Sequence, residues 1–326
     1  MPVVGIDIAK QTFEAAWWVG GRWKSQSFAN SPAGFAKLER LLGEKHHICL
    51  EATGRYGNAL AQTFFQAGHV VSVVNPMRIQ RYAESRLRRT KTDRADAILI
   101  AEFCDKEQPG PWKPLPVEVE QLRELVRRRE HVLGMQQMER NRLLAGPLEP
   151  LVAASIERSL AFWNTELQEI EQAIESLFQK QAELSEQRAL LSSIPGIGAL
   201  SAAVLLAEIG DIASFETAKQ LVAFAGLNPK ERSSGSSVRG RAGIAKMGNP
   251  RIRRTLYMAT LSAKRHNLPI REFCQRLKDH KPSKVIHVAA MRKLLHQVFG
   301  VLKNRRPFDP ILAKAAQQEE THASSC

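Results

Sequence analysis

The run Val3-Val4-Gly5-Ile6-Asp7-Ile8-Ala9-Lys10 constrains this chain more than any other stretch. Short, apolar and rich in β-branched residues, it reads as a buried strand. One carboxylate, Asp7, stands inside it, and a charge is rarely placed on a buried strand unless it is paired or holds a metal. Two further acid-bearing stretches match it. His46-His47-Ile48-Cys49-Leu50-Glu51-Ala52-Thr53-Gly54 is a strand ending in a carboxylate and a turn, and Lys91-Thr92-Asp93-Arg94-Ala95-Asp96-Ala97 opens a helix. Asp93 and Asp96, three residues apart, share a helix face, and Thr92 is placed to cap it. The expectation is that Asp7, Glu51, Asp93 and Asp96 converge on divalent metal. A hard cation such as Mg²⁺ takes carboxylate oxygens, and two such ions about 3.5–4 Å apart can clamp an in-line phosphoryl displacement. Taken singly, Asp93 and Asp96 also fit an ordinary negatively charged helix N-terminus.

The surrounding pattern is α/β. Thr12–Val19 and Arg22–Phe28, split by Gly20-Gly21, form a hairpin signal. Phe35, Leu38, Leu41 and Leu42 recur at helical spacing. A strand at 47–51, a helix near 57–67 and the strand Val70–Val74 follow, closed by Asn75-Pro76. The order βββαβαβα resembles the ribonuclease H-like fold, with an antiparallel hairpin first and crossovers later.

At 326 residues with a formal charge of +14, the chain calls for two or three domains and a polyanionic partner. Nucleic acid comes first and an anionic membrane surface second. No apolar run approaches the roughly 20 residues of a bilayer span, and no secretory pattern opens the chain. Cys49, Cys104, Cys274 and Cys326 lack Cys-x-x-Cys spacing, so a reduced, cytoplasmic protein is expected. Pro109, Gly110, Pro111, Pro114 and Pro116 mark a boundary. Four segments are expected: residues 1–110, an acidic catalytic domain; 111–190, a helical spacer; 191–310, a mainly helical domain; and 311–326, a disordered tail. In the spacer, Leu160, Trp163, Leu167, Ile170, Ile174 and Leu177 form a heptad stripe. It fits an antiparallel helical hairpin or a coiled coil shared between subunits.

Farther on, Ile194-Pro195-Gly196-Ile197-Gly198 resembles a helix-hairpin-helix turn, whose N–H groups at Gly196 and Gly198 would face a phosphate. Lys230, Arg232, Arg239, Arg241, Lys246, Arg251, Arg253 and Arg254 then surround Ser233-Ser234-Gly235-Ser236-Ser237, with Glu231 as the lone acid. This is either an anion-binding surface or a flexible linker. A serine here could attack a phosphodiester only with a base or metal beside it, and no Gly-x-Ser-x-Gly elbow is present.

Together these motifs resemble the DEDD transposases of insertion sequences, a family that includes pilin-gene invertases and bridge-RNA-guided recombinases. The resemblance rests on Gly5-Ile6-Asp7 with Lys10, Glu51-Ala52-Thr53-Gly54, Lys91-Thr92-Asp93 with Asp96, Ile194–Gly198, and Ser234-Gly235-Ser236-Ser237-Val238-Arg239-Gly240. It implies a resolvase-like (RuvC-like) domain whose acids bind Mg²⁺, a coiled-coil spacer and a transposase domain. It also implies a serine, Ser234 or its neighbour Ser233, that links covalently to DNA. Partners implied are donor and target DNA, a noncoding bridge RNA, and further copies of the chain in a dimer or tetramer. A metal-dependent junction nuclease using water, and a non-catalytic nucleic-acid-binding assembly protein, are the competing expectations.

Overall fold

Residue alternation sorts the first strands onto two faces. In the computed structural model, which describes residues 1–52, 54, 56–87, 92–230, 233–234, 238–239, 243–244 and 247–312, the chain forms two compact units, Met1–Pro114 and Leu115–Cys326. The first contains β1 (Val3–Ile8), β2 (Thr12–Val19), β3 (Arg22–Ala29), α1 (Pro32–Leu42), β4 (His47–Glu51), α2 (Asn58–Gln66), β5 (Val70–Val74), α3 (Pro76–Ser85) and α4 (Asp93–Glu107). The sheet order is β3-β2-β1-β4-β5, with β1–β2 and β2–β3 antiparallel and β1–β4 and β4–β5 parallel. This is a mixed α/β sheet.

Period two along β1 puts Val4, Ile6 and Ile8 on one face. There they join Phe13, Ile48, Leu50 and Val71 in a core closed by Phe35 and Leu38 of α1 and Leu60 and Phe64 of α2. Val3, Gly5 and Asp7 belong to the opposite face. On that side Val3, Cys49 and Val74 pack with Ile79 of α3 and with Leu99, Ile100, Phe103 and Cys104 of α4. Gly5 sets how closely α4 approaches. A Cβ on it would lie 2.2 Å from both the Ala97 carbonyl oxygen and the Ala101 nitrogen, so helix backbone rests directly on strand backbone. Thr92 caps α4, its hydroxyl accepting from the Ala95 N–H at 3.2 Å.

The second unit comprises α5 (Val117–Leu144), α6 (Pro150–Lys180), α7 (Ala182–Ser192), α8 (Ala199–Ile209), α9 (Ala218–Ala225), four two-residue strands, α10 (Pro250–His266), α11 (Leu268–Leu277) and α12 (Ser283–Asn304). The short strands are β6 (Pro229–Lys230), β7 (Ser233–Ser234), β8 (Val238–Arg239) and β9 (Gly243–Ile244), pairing β6–β9 and β7–β8. α5 and α6 pack together, and the heptad residues Trp163, Leu167, Ile170, Ile174 and Leu177 face a core shared with α8, α10 and α12. Contrary to the reading from apolar runs, α12 is long and apolar enough, by length and composition, to cross a membrane. Here it is a core helix: Ile286, Ala290, Met291, Leu294, Leu295 and Val298 are buried. The segment 313–326, expected to be a disordered tail, lies outside the described residues.

Candidate active site

The acids of the first unit are brought to one face by strand register. Gly5 of β1 pairs with Cys49 of β4, and continuing that parallel register two residues sets Glu51 beside Asp7. The close seat of α4 on Gly5 then presents the first turn of the helix, with Asp93 and Asp96, to the same end of β1. Electrostatics register the convergence. Burial pushes the Asp7 carboxyl up from 3.8 to about 6, and Asp96, Asp93 and Glu51 add to the rise in that order, against a lowering hydrogen bond from the Ile8 backbone. A donor set of oxygen atoms only, with one member held ionised against three like charges, fits a hard divalent cation. Among the described residues, no three His, Cys, Asp or Glu side chains stand close enough to ligate one ion together. Glu14, given no role by its sequence context, sits directly across β2 from Asp7 in the antiparallel register.

In the second unit, the basic serine loop leaves and rejoins the core at one neck. The Asn249 N–H donates to the Phe224 carbonyl at 2.9 Å, and Arg253 Nη1 donates to the carbonyls of Ala225 (2.9 Å) and Gly248 (3.0 Å). Gly248 is required there, because a Cβ would meet the Gly226 nitrogen and the Phe224 oxygen at 2.4 Å. Behind the neck lies Glu208, only 1 % exposed on the apolar helix α8. It accepts from Arg127 Nε (2.7 Å) and Nη2 (3.0 Å) and from Asn249 Nδ2 (2.7 Å). Burial raises its pKa, but the bonds from Arg127 and Asn249 outweigh that and hold the carboxyl below the usual range. Asn249 Oδ1 meanwhile caps α10 by accepting from the N–H groups of Arg251 and Ile252. Removing Glu208 by alanine substitution strands Arg127 and the Asn249 amide. With allowance for the partly exposed guanidinium, the expected loss is about 2–3 kcal/mol, read as a lower urea midpoint.

Within the loop, Ser233 and Ser234 pair with Arg239 and Val238 through their backbones, and Lys230 pairs with Gly243. Of Lys230, Ser234 and Arg239 only the backbone is described; Arg232, Arg241 and Lys246 lie outside the described residues. At the Pro-Gly turn, Gly196 (φ +109°) is pressed against α10, where a Cβ would meet Ala263 Cβ at 2.7 Å. Gly198 is exposed and stands at the N-terminus of α8 without a side-chain cap. Arg253 and Glu208 are the residues whose part here emerged only from the fold.

Comparison with known proteins gives the family. Residues 4–146 match the DEDD_Tnp_IS110 transposase family, and residues 188–275 match the transposase IS116/IS110/IS902 family. The chain is 35 % identical over 314 residues to the pilin gene-inverting protein of Moraxella bovis, covering 94 % of this chain and 97 % of that protein. It is 27 % identical over 292 residues to the transposase for insertion sequence element IS1111A of Coxiella burnetii, covering 81 % and 78 % respectively. A putative transposase of Sinorhizobium fredii is 29 % identical over 276 residues, 78 % of this chain and 69 % of that one. The chain belongs to the IS116/IS110/IS902 family of transposases, enzymes that rearrange DNA.

Proposed function

We propose that this transposase cuts and rejoins DNA site-specifically through a phosphoserine intermediate, using Asp7, Glu51, Asp93 and Asp96 together with Ser234. The observation that supports the reading is the strand register and the helix seat that bring Glu51, Asp93 and Asp96 toward the half-buried Asp7, whose carboxyl is pushed up by burial first and by those three acids next. The first unit, with its order β3-β2-β1-β4-β5, is read as ribonuclease H-like (RuvC-like). Mg²⁺ drawing these carboxylates together would polarise the scissile phosphate and offset charge on the displaced oxygen. Ser234 Oγ bonds to phosphorus as the bond from phosphorus to one deoxyribose oxygen breaks. A carboxylate of the acidic set takes the serine proton, and the leaving oxygen is protonated in turn. Because one ester replaces another, rejoining needs no outside energy source. Arg239 and the cations near it neutralise phosphate charge.

The +14 charge supports two polyanionic partners, donor and target DNA and a structured noncoding RNA that pairs with both. The exposed N-terminus of α8 at Gly198 is a further phosphate seat. Copies of the chain would assemble as a dimer or tetramer, each site drawing acids from one copy and serine from another. The similarity to a pilin gene-inverting protein supports recombination at defined sites.

The test is a denaturing gel of the protein incubated with its DNA substrate. A covalent protein–DNA band is expected from the parent and from Ser233→Ala, and none from Ser234→Ala. Free 3′-OH and 5′-phosphate ends with no adduct would instead assign the attack to water. Sequencing the RNA that copurifies with the protein, and assaying strand exchange with and without it, tests the guide.

A further inference from the structure

A recess lies in the first unit, at the far end of β1 from the acids. Its volume is about 470 Å³, and its walls include Trp18, Trp23, Arg86, Glu102, Asp105 and Lys106. Such a volume is within the ~300–1,000 Å³ of ordinary ligand sites. The two tryptophans are direct cross-strand partners near the hairpin turn, edge to face with ring centroids 5.1 Å apart. Edge-to-face contact engages one face of one ring and leaves the others to different partners. Trp23 spends its share on the α4-side core, whereas Trp18 is 54 % exposed, a large apolar ring kept in water at the mouth of a recess.

Charge surrounds the rings in a specific arrangement. Arg86 reaches from the end of α3, its guanidinium over the Tyr82 ring at 5.7 Å and its Nη2 3.8 Å from Glu102 Oε2. Lys106 lies one turn beyond Glu102 on α4. An exposed aromatic ring, two cations and two carboxylates in one lining together describe the complement of a planar ring that carries N–H donors and is tethered to phosphate.

We infer that this recess takes a single unpaired base of a nucleic-acid strand. The base stacks on Trp18, an exocyclic amine donates to Glu102, and the flanking phosphates lie against Arg86 and Lys106. Val3 and Asp7 are four positions apart on β1, about 13 Å at strand rise, so the recess and the acids belong to the same face of one sheet. The same ring chemistry comes from displaced DNA or from RNA.

The experiment is an anisotropy titration of the full chain with labelled eight-base strands of deoxycytidine, thymidine and cytidine, at salt high enough to suppress charge-only binding. Deoxycytidine strands should bind more tightly than thymidine strands, which lack the exocyclic amine. Trp18→Ala should weaken both by about tenfold, as removal of one stacking platform does, and Trp18→Phe should restore most of the affinity. Glu102→Ala, which removes the acceptor, should abolish the preference for cytosine while thymidine binding holds. The ribo- and deoxy-cytidine arms assign the source of the base. Unchanged affinity in Trp18→Ala overturns the inference. So does a change in sedimentation mass at constant affinity, which would make the recess a protein contact. Only binding is read, so the outcome is independent of whether serine attacks DNA.

Discussion

Gly5→Ala is expected to abolish strand exchange and to destabilise the first unit by about 3 kcal/mol, the upper end of ordinary overpacking. The added methyl group would lie 2.2 Å from the Ala97 oxygen and the Ala101 nitrogen. These are main-chain atoms and cannot rotate aside, so α4 as a whole must lift from β1. Lifting it carries Asp93 and Asp96, in its first turn, away from Asp7. Thermal unfolding measures the first effect and the covalent-adduct gel the second. An alanine variant that melts and reacts like the parent would show that α4 does not depend on this seat.

Asp7→Asn should do the opposite to stability and the same to activity. Ionised Asp7 is held in the folded protein against burial and three neighbouring carboxylates, with its pKa near 6 rather than 3.8. The cost to the fold is fully present above about pH 6 and is relieved as pH falls toward 3.8. At pH 7.5 without divalent cation, the asparagine variant should be the more stable by about 1–2 kcal/mol after allowance for solvent screening, while forming no adduct. That advantage should shrink on acidification and vanish near pH 4, as the parent's carboxyl takes up its proton. Millimolar Mg²⁺ or Mn²⁺ should raise the melting temperature of the parent at pH 7.5 and leave the variant nearly unmoved. Equal stability of the two proteins across this pH range would remove the strain on which the metal assignment rests.

Much of the first unit could be read from spacing alone. Alternation in Val3–Ile8, the Gly20-Gly21 break and the Asn75-Pro76 stop are local signals, and each element they announced is present. The pairing of Asp93 with Asp96 follows from helical period. What local spacing could not supply was contact between segments remote in sequence. Gly5 looked like an ordinary glycine in a strand until α4, some ninety residues later, was laid upon it. Arg253 read as one more cation in a basic run, yet its guanidinium donates to two carbonyls at the loop neck. Glu208 was legible in principle: a lone carboxylate in the apolar run Ala199–Ile209 poses the question raised by Asp7 on its strand. Its answer, a bidentate arginine from α5, required the tertiary fold.

The neck of the serine loop has a bearing on how such enzymes diversify. Its two ends are fastened to each other by Arg253 and by the Asn249–Phe224 bond, and braced from behind by Glu208. These fastenings rest on Phe224, Ala225, Gly248, Asn249 and Arg253. A substitution elsewhere in the loop leaves those anchoring residues unchanged.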